Sequence, residues 1–271
     1  MTSSSPYGPP APRGERPPAL LRTRSRRRGV VLLGLALLLA AVAGTVATWG
    51  DEPSTPATVA DRLPEGGGLG AHAEPPEVPP VVVPSYGPGR FVVATGGTPV
   101  VGEDGPLHRY RVVVEEGAGQ DVDAFAASVD ETLADPRSWI ASGELRVQRV
   151  AEAAEADFTV YLATPVTSER MCAEGGLSTE GYTSCRLPGQ VIINLARWME
   201  AVPDYGAPLS VYRTYVINHE IGHEFGEGHE ACPAPGSPAP VMQQQTYGLE
   251  GCLANAWPYL DGRRHAGEII P

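Results

Sequence analysis

Residues His219 to Glu230 read HEIGHEFGEGHE, and their spacing is one that does chemistry. His219, Glu220, His223, Gly226 and His229 stand as H-E-x-x-H-x-x-G-x-x-H. Positions four apart on a helix share a face, so His219 and His223 present two imidazoles to one point. Glu220 lies about 100° further round, beside that point rather than on it. Gly226 can take positive φ, which ends the helix and turns the chain back. His229 then brings a third imidazole from outside the helix. Three protein ligands leave one tetrahedral position open, which is the pattern of a catalytic zinc ion and not of a closed structural one. The adjacent carboxylate is placed to act as general base. A short H-E-x-x-H alone is a weak signal. Here three of the chain's six histidines fall within eleven residues, which argues against accident.

Other elements must hold this stretch in place. Pro208-Leu209-Ser210 predicts the start of the motif helix, with Ser210 as N-cap. Val211, Thr214, Ile217, Ile221 and Phe225 form a stripe expected to face the core. Tyr212, Val216, His219 and His223 line the neighbouring face, so ligand face and packing face are expected to be distinct. Upstream, Phe91–Thr95 and Arg109–Glu115 have strand composition. Asp121 is a candidate N-cap for Val122, Phe125, Ala126, Val129 and Leu133 at helical spacing, and Pro136 stops that run. Strands follow around Leu145–Val150, at Phe158–Leu162 by clean alternation, and at Gln190–Leu195. Pro165–Gly189 reads as a long Gly-rich loop at the rim of a cleft. The fold class is α+β, one catalytic domain over residues 90–271 with a twisted sheet and an active-site helix.

The cysteines are Cys172, Cys185, Cys232 and Cys252. An even number fits an oxidising compartment, and four allow three connectivities. We expect the local pairs Cys172–Cys185 and Cys232–Cys252, each closing a loop of about 13 to 20 residues and contributing roughly 3 kcal/mol. The competing reading makes Cys232 a fourth zinc ligand, since it lies three residues after His229, and leaves Cys252 unpaired.

The N-terminal part reads differently. Residues 1–28 form a disordered tail ending in Arg22, Arg24, Arg26, Arg27 and Arg28. Residues 29–49 carry no charge and are long enough to span a bilayer core of roughly 30 Å. The arginines hold their own end in the cytoplasm, so the bulk of the chain is expected outside, behind a single-pass anchor. Secretion after signal cleavage is the alternative. Residues 50–89 are a Pro/Gly-rich linker. Residues 51–271 hold thirteen Arg against 31 acidic residues, and the chain has no lysine. Such an exterior repels nucleic acid, which is excluded as a partner.

The long histidine motif, followed thirteen residues later by Met242, resembles the metzincin clan of zinc metallopeptidases. More closely, the chain from about residue 90 resembles an exported actinobacterial domain-of-unknown-function family, number 3152. The segments that carry the likeness are Leu133–Trp139, Gly181–Cys185, Ile193–Trp198, Asn218–His229 and Pro238–Gln245. The metzincin likeness implies one catalytic Zn2+ on His219, His223 and His229, Glu220 as general base, and Met242 in a turn beneath the metal. Met242 would be apolar flooring, because a thioether binds zinc weakly. Some metzincins place a tyrosine two residues after that methionine; here Gln244 stands there. Tyr247 and Gln243 are the remaining candidates for the rim or the oxyanion.

The expected function is a membrane-anchored zinc endopeptidase acting on a peptide or protein. An amidase cutting cell-wall peptide crosslinks is one alternative. A non-catalytic, zinc-stabilised binding domain is another, although a structural site has no use for a base. Oligomeric state and subsite specificity are not legible in the sequence.

Overall fold

The computed structural model describes residues 82–270. The basic tail, the uncharged run 29–49 and the linker up to residue 81 lie outside the described residues. Among the described residues no helix is long and apolar enough to cross a membrane.

A twisted mixed sheet forms the frame. It contains β1 (Phe91–Val93), β2 (Leu107–Glu115), β3 (Arg146–Arg149), β4 (Phe158–Ala163), β5 (Cys185–Leu187) and β6 (Gln190–Asn194). The order is β1-β2-β4-β6-β5, with β3 also pairing β2. β2, β4 and β6 run parallel, while β1 and β5 are antiparallel to their neighbours. Side chains alternate across the sheet with period two. Val112, Val114, Val160, Leu162, Val191 and Ile193 pack on one side in the main core. Ala163, Ile192, Cys185 and Leu187 pack on the other side.

α1 (Val122–Ala134) and α4 (Leu209–Glu224) contribute to the main core. Asp121 caps α1 by accepting a hydrogen bond from Ala124 N at 2.7 Å. α2 (Pro165–Glu174) covers the opposite face with Met171 and Cys172. It corrects the expected Pro165–Gly189 loop: the first half of that stretch is helix and the end of it is β5. Pro at the first helical position needs no N–H partner there, so it starts the helix instead of breaking it. A short α3 (Leu195–Glu200) also intervenes, because Asn194 ends β6 and accepts from Ala196 N at 2.9 Å.

Thr164, the N-cap of α2, makes no side-chain cap bond. A distant carboxylate does that work. Glu115 at the end of β2 is buried and accepts from Thr164 N and Oγ1, both at 2.8 Å, and from Thr167 Oγ1 at 2.7 Å. Gly89 N donates to it at 2.7 Å. Negative charge at a helix N-terminus is favourable, and removal would strand buried donors. Glu115→Ala is therefore expected to destabilise the fold by about 3 kcal/mol, read as a lowered urea midpoint at constant slope. The contacts also run upstream of Arg90. Val83 packs against the main core, and Ser85 O accepts from Val166 N at 3.0 Å.

Candidate metal centre

α4 begins at Leu209 with Pro208 as N-cap, one residue pair earlier than a Ser210 cap predicts. Ser210 lies inside the helix, where its carbonyl accepts from Thr214 Oγ1 at 3.1 Å. The helix is buried on more than one side. Tyr212, Tyr215, Val216, Ile217, His219, Glu220 and Ile221 are all buried, whereas Val211, Thr214 and Phe225 are half-buried. The expected separation of ligand face from packing face is thus corrected, since β6 and α1 pack on one side and the Met242 turn packs on another.

The helix ends as the glycine predicts. Gly226 has φ +94°. Gly226 N donates to His223 O at 3.2 Å and Glu227 N to Gly222 O at 3.0 Å, which is a Schellman closure. Glu227 O then accepts from His223 Nδ1 at 2.9 Å, so the turn also aims the second histidine.

The turn at Pro240–Gln243 uses each of its carbonyls in sequence. Pro240 O accepts from Gln243 N at 3.0 Å. Val241 O accepts from His219 Nδ1 at 2.9 Å. Met242 O accepts from Glu230 N at 3.1 Å. Gln243 O accepts from Tyr215 Oη at 3.2 Å. Met242 itself is fully buried, and a Cβ on Gly222 would stand 2.6 Å from its Sδ. Gly222 between the two helical histidines is what lets Met242 lie against the helix backbone.

His229 is held from both flanks. Glu230 N is bound by the turn as above. On the other side Ile270 N donates to His229 O at 3.0 Å and Ala231 N to Glu268 O at 2.8 Å. The last residues of the chain thus clamp the third histidine.

One ligand atom from each of His219, His223 and His229 lies within 4.8 Å of the others. A carbonyl only accepts, so Nδ1 of His219 and of His223 carries the proton and Nε2 is left as a lone pair. His223 Nε2 faces His229 Nε2 at 3.1 Å, a separation that suits a shared cation. Two imidazoles on one tetrahedral zinc at about 2.0–2.1 Å would stand about 3.3–3.4 Å apart. Burial, then the repulsion that a second proton on neighbouring His223 would bring, pushes His219 down to about 3. Burial likewise lowers His223 and His229. All three are therefore neutral at neutral pH, and a three-imidazole donor set of this kind could hold a metal ion such as zinc. Glu220 is buried beside them, and burial pushes its carboxyl up to about 8.

These groups open onto a cavity of about 540 Å³. One wall is the 177–186 segment, so the expected rim is found there. Cys172–Cys185 pins this wall to α2, and Glu169 accepts from Thr179 N at 2.8 Å and Gly181 N at 3.1 Å. Both expected disulfides form, so Cys232 is bound to Cys252 and is not a metal ligand. Tyr247, 64% exposed, also lines the cavity, with Gln244 and Thr246, and its ring lies 6.3 Å from that of Tyr182. Gln243 does not reach the cavity. It is 3% exposed and its Nε2 donates to Gly248 O at 3.3 Å, because the turn directs it inward. The reading of Gln243 as a rim or oxyanion group is corrected accordingly. Tyr215 and Arg186 line the cavity without having been singled out in the sequence. The signal for Tyr215 is its place four residues before His219 on the same helical row. Arg186 has no local signal.

The site is a three-imidazole, metal-type centre with a buried carboxylate, set in a mixed α+β domain. The chain belongs to the family described as "Protein of unknown function (DUF3152)", whose profile matches residues 78–256. Searches of curated proteins and of solved structures find no match. All four cysteines are paired, which fits an extracellular or secreted protein.

Proposed function

We propose that this chain is a membrane-anchored, extracellular zinc endopeptidase of the metzincin type. The observation that carries the reading is the convergence of three neutral imidazoles, with Glu220 alongside, in one open cleft. The buried methionine turn against the motif helix supports the metzincin kinship. The run 29–49 supports the anchor, and the two disulfides support the exported location. The outer edge of β5 is unpaired among the described residues and borders the cleft, which suits an extended peptide.

Zinc, when bound, supplies water of lowered pKa and polarises the scissile carbonyl. Val241 O and Glu227 O orient His219 and His223 through their Nδ1 protons, which keeps the opposite nitrogens aimed inward. Glu220 takes the proton of the attacking water on its carboxylate and returns it to the leaving amine. Burial alone favours the protonated carboxyl, which suits the return of the proton; a dication held by the three histidines would favour the carboxylate that takes it.

The test is metal analysis of the purified chain combined with a proteome-derived peptide-library digest. One equivalent of zinc is expected, with cleavage that a chelator abolishes and zinc restores. Cleavage of purified peptidoglycan alone would move the substrate to cell-wall crosslinks. A zinc-loaded chain that cuts neither, and unfolds when zinc is withdrawn, would make this a binding domain.

A further inference from the structure

Arg186 occupies the middle of β5. Its neighbours Cys185 and Leu187 pack toward α2. The strand alternation therefore sends Arg186 the other way, toward the end of α4. There Arg186 Nε donates to Glu224 Oε2 at 2.5 Å, and Gly189 N donates to the same oxygen at 3.4 Å. Glu224 directly follows His223, so this ion pair sets the guanidinium on the cavity wall next to a metal-type ligand. The two terminal nitrogens of Arg186 make no hydrogen bond to any described residue, and the side chain is 28% exposed. Glu224 uses only the Nε corner of the fork, and the Nη1–Nη2 edge stays open.

Arg186 is also the only Lys or Arg among the described residues lining the cavity. The acidic lining groups are Glu220 and Glu227, and Glu227 is paired with Arg264 at 3.3 Å. The side chains of Ser178, Thr183, Gln244 and Tyr247 line the same space and make no hydrogen bonds to described residues. A planar fork with two parallel N–H groups is the geometry that receives a carboxylate in bidentate fashion.

We propose that Arg186 anchors a carboxylate of the substrate, so that the cleft selects peptides with an acidic group close to the bond that is cut. The proposal rests on the peptidase reading above. The carboxylate has two possible sources, an Asp or Glu side chain or a free C-terminus. The hydroxyl and amide groups that line the same cavity favour a polar segment, because an apolar side chain would strip them of water without replacing its hydrogen bonds.

The test uses the full chain carrying Glu220→Gln, loaded with zinc, so that peptides bind without being consumed. Four matched peptides are titrated: internal Glu or internal Gln, each with a free or an amidated C-terminus. Carboxylate peptides are expected to bind about tenfold tighter than their amide partners. Adding Arg186→Gln is expected to erase that difference and leave the all-amide peptide unchanged. Arg186→Lys is expected to recover part of it. Arg186→Gln with Glu224→Gln keeps the local charge balanced and should lose discrimination equally. The arm that carries the preference identifies the source. Equal binding of all four peptides overturns the proposal. So does an Arg186→Gln chain that binds all four more weakly by one common factor, since that marks a structural or oxyanion role. Hydrolysis by the unaltered chain is read separately. Cleavage without charge preference removes the anchor and leaves the peptidase, whereas carboxylate-selective binding without any cleavage removes the peptidase and leaves the anchor.

Discussion

Glu220→Gln is expected to lower kcat/KM by about 10²–10⁴ while leaving the metal bound, because the amide keeps the shape of the side chain and cannot take a proton. Glu220 sits one residue after His219, inside a buried helix, with no hydrogen bond to any described residue. It therefore has no structural partner to lose. It is not one of the three converging ligands, so metal content should be unaffected. Kinetics on the best peptide from the library digest, with zinc measured on the same preparation, make the comparison. A zinc-loaded Glu220→Gln chain that retains most of its activity would sink the general-base assignment.

Arg264→Met is expected to weaken zinc binding by about 10–100-fold, the effect usual for groups that orient metal ligands. Arg264 Nη2 pairs with Glu230 Oε1 at 2.8 Å and with Glu227 Oε2 at 3.3 Å. Glu230 is bonded in sequence to His229, and the carbonyl of Glu227 holds His223. The guanidinium also lies over the Trp139 ring, 5.1 Å from its centroid, and Trp139 Nε1 donates to Asn218 O at 2.9 Å, next to His219. One side chain thus bears on all three ligand segments. Methionine keeps the apolar stem over Trp139 but leaves the buried Glu230 carboxylate without its partner. Competition with a chromophoric chelator gives the affinity, and thermal unfolding of the metal-free chain gives the stability. A lowered melting temperature with unchanged zinc affinity would make Arg264 structural only.

Arg264 also marks a limit of local reading. It lies beyond the family match at residues 78–256, thirty-five residues from His229, and nothing in RRHAGE announces a role. Its position follows from the C-terminal tail pairing with the His229 segment, a long-range contact with no sequence period. The same holds for Glu115. A glutamate ending a strand is unremarkable until the sheet brings it to the start of α2, some fifty residues on. That missing partner is also why Pro165–Glu174 reads as loop: its cap comes from elsewhere in the fold. Gln243 and Gln244 are alike in type, and only the turn at Pro240–Gln243 sends one inward and the other to the cleft.

Several features needed no tertiary structure. The i, i+4 geometry of a helix makes His219 and His223 neighbours, and a glycine that tolerates positive φ at 226 lets His229 return. Asp121 caps its own helix, and Val160 and Leu162 declare their face by alternation. Both disulfides join nearby cysteines and close the short loops expected. These are local rules, acting within a turn or a strand. The orientation of each imidazole, the burial that keeps them neutral, the cleft wall and the placement of Arg186 and Arg264 were decided by packing. They depend on groups far apart in the chain whose meeting is set by the sheet order and the path of the C-terminal tail.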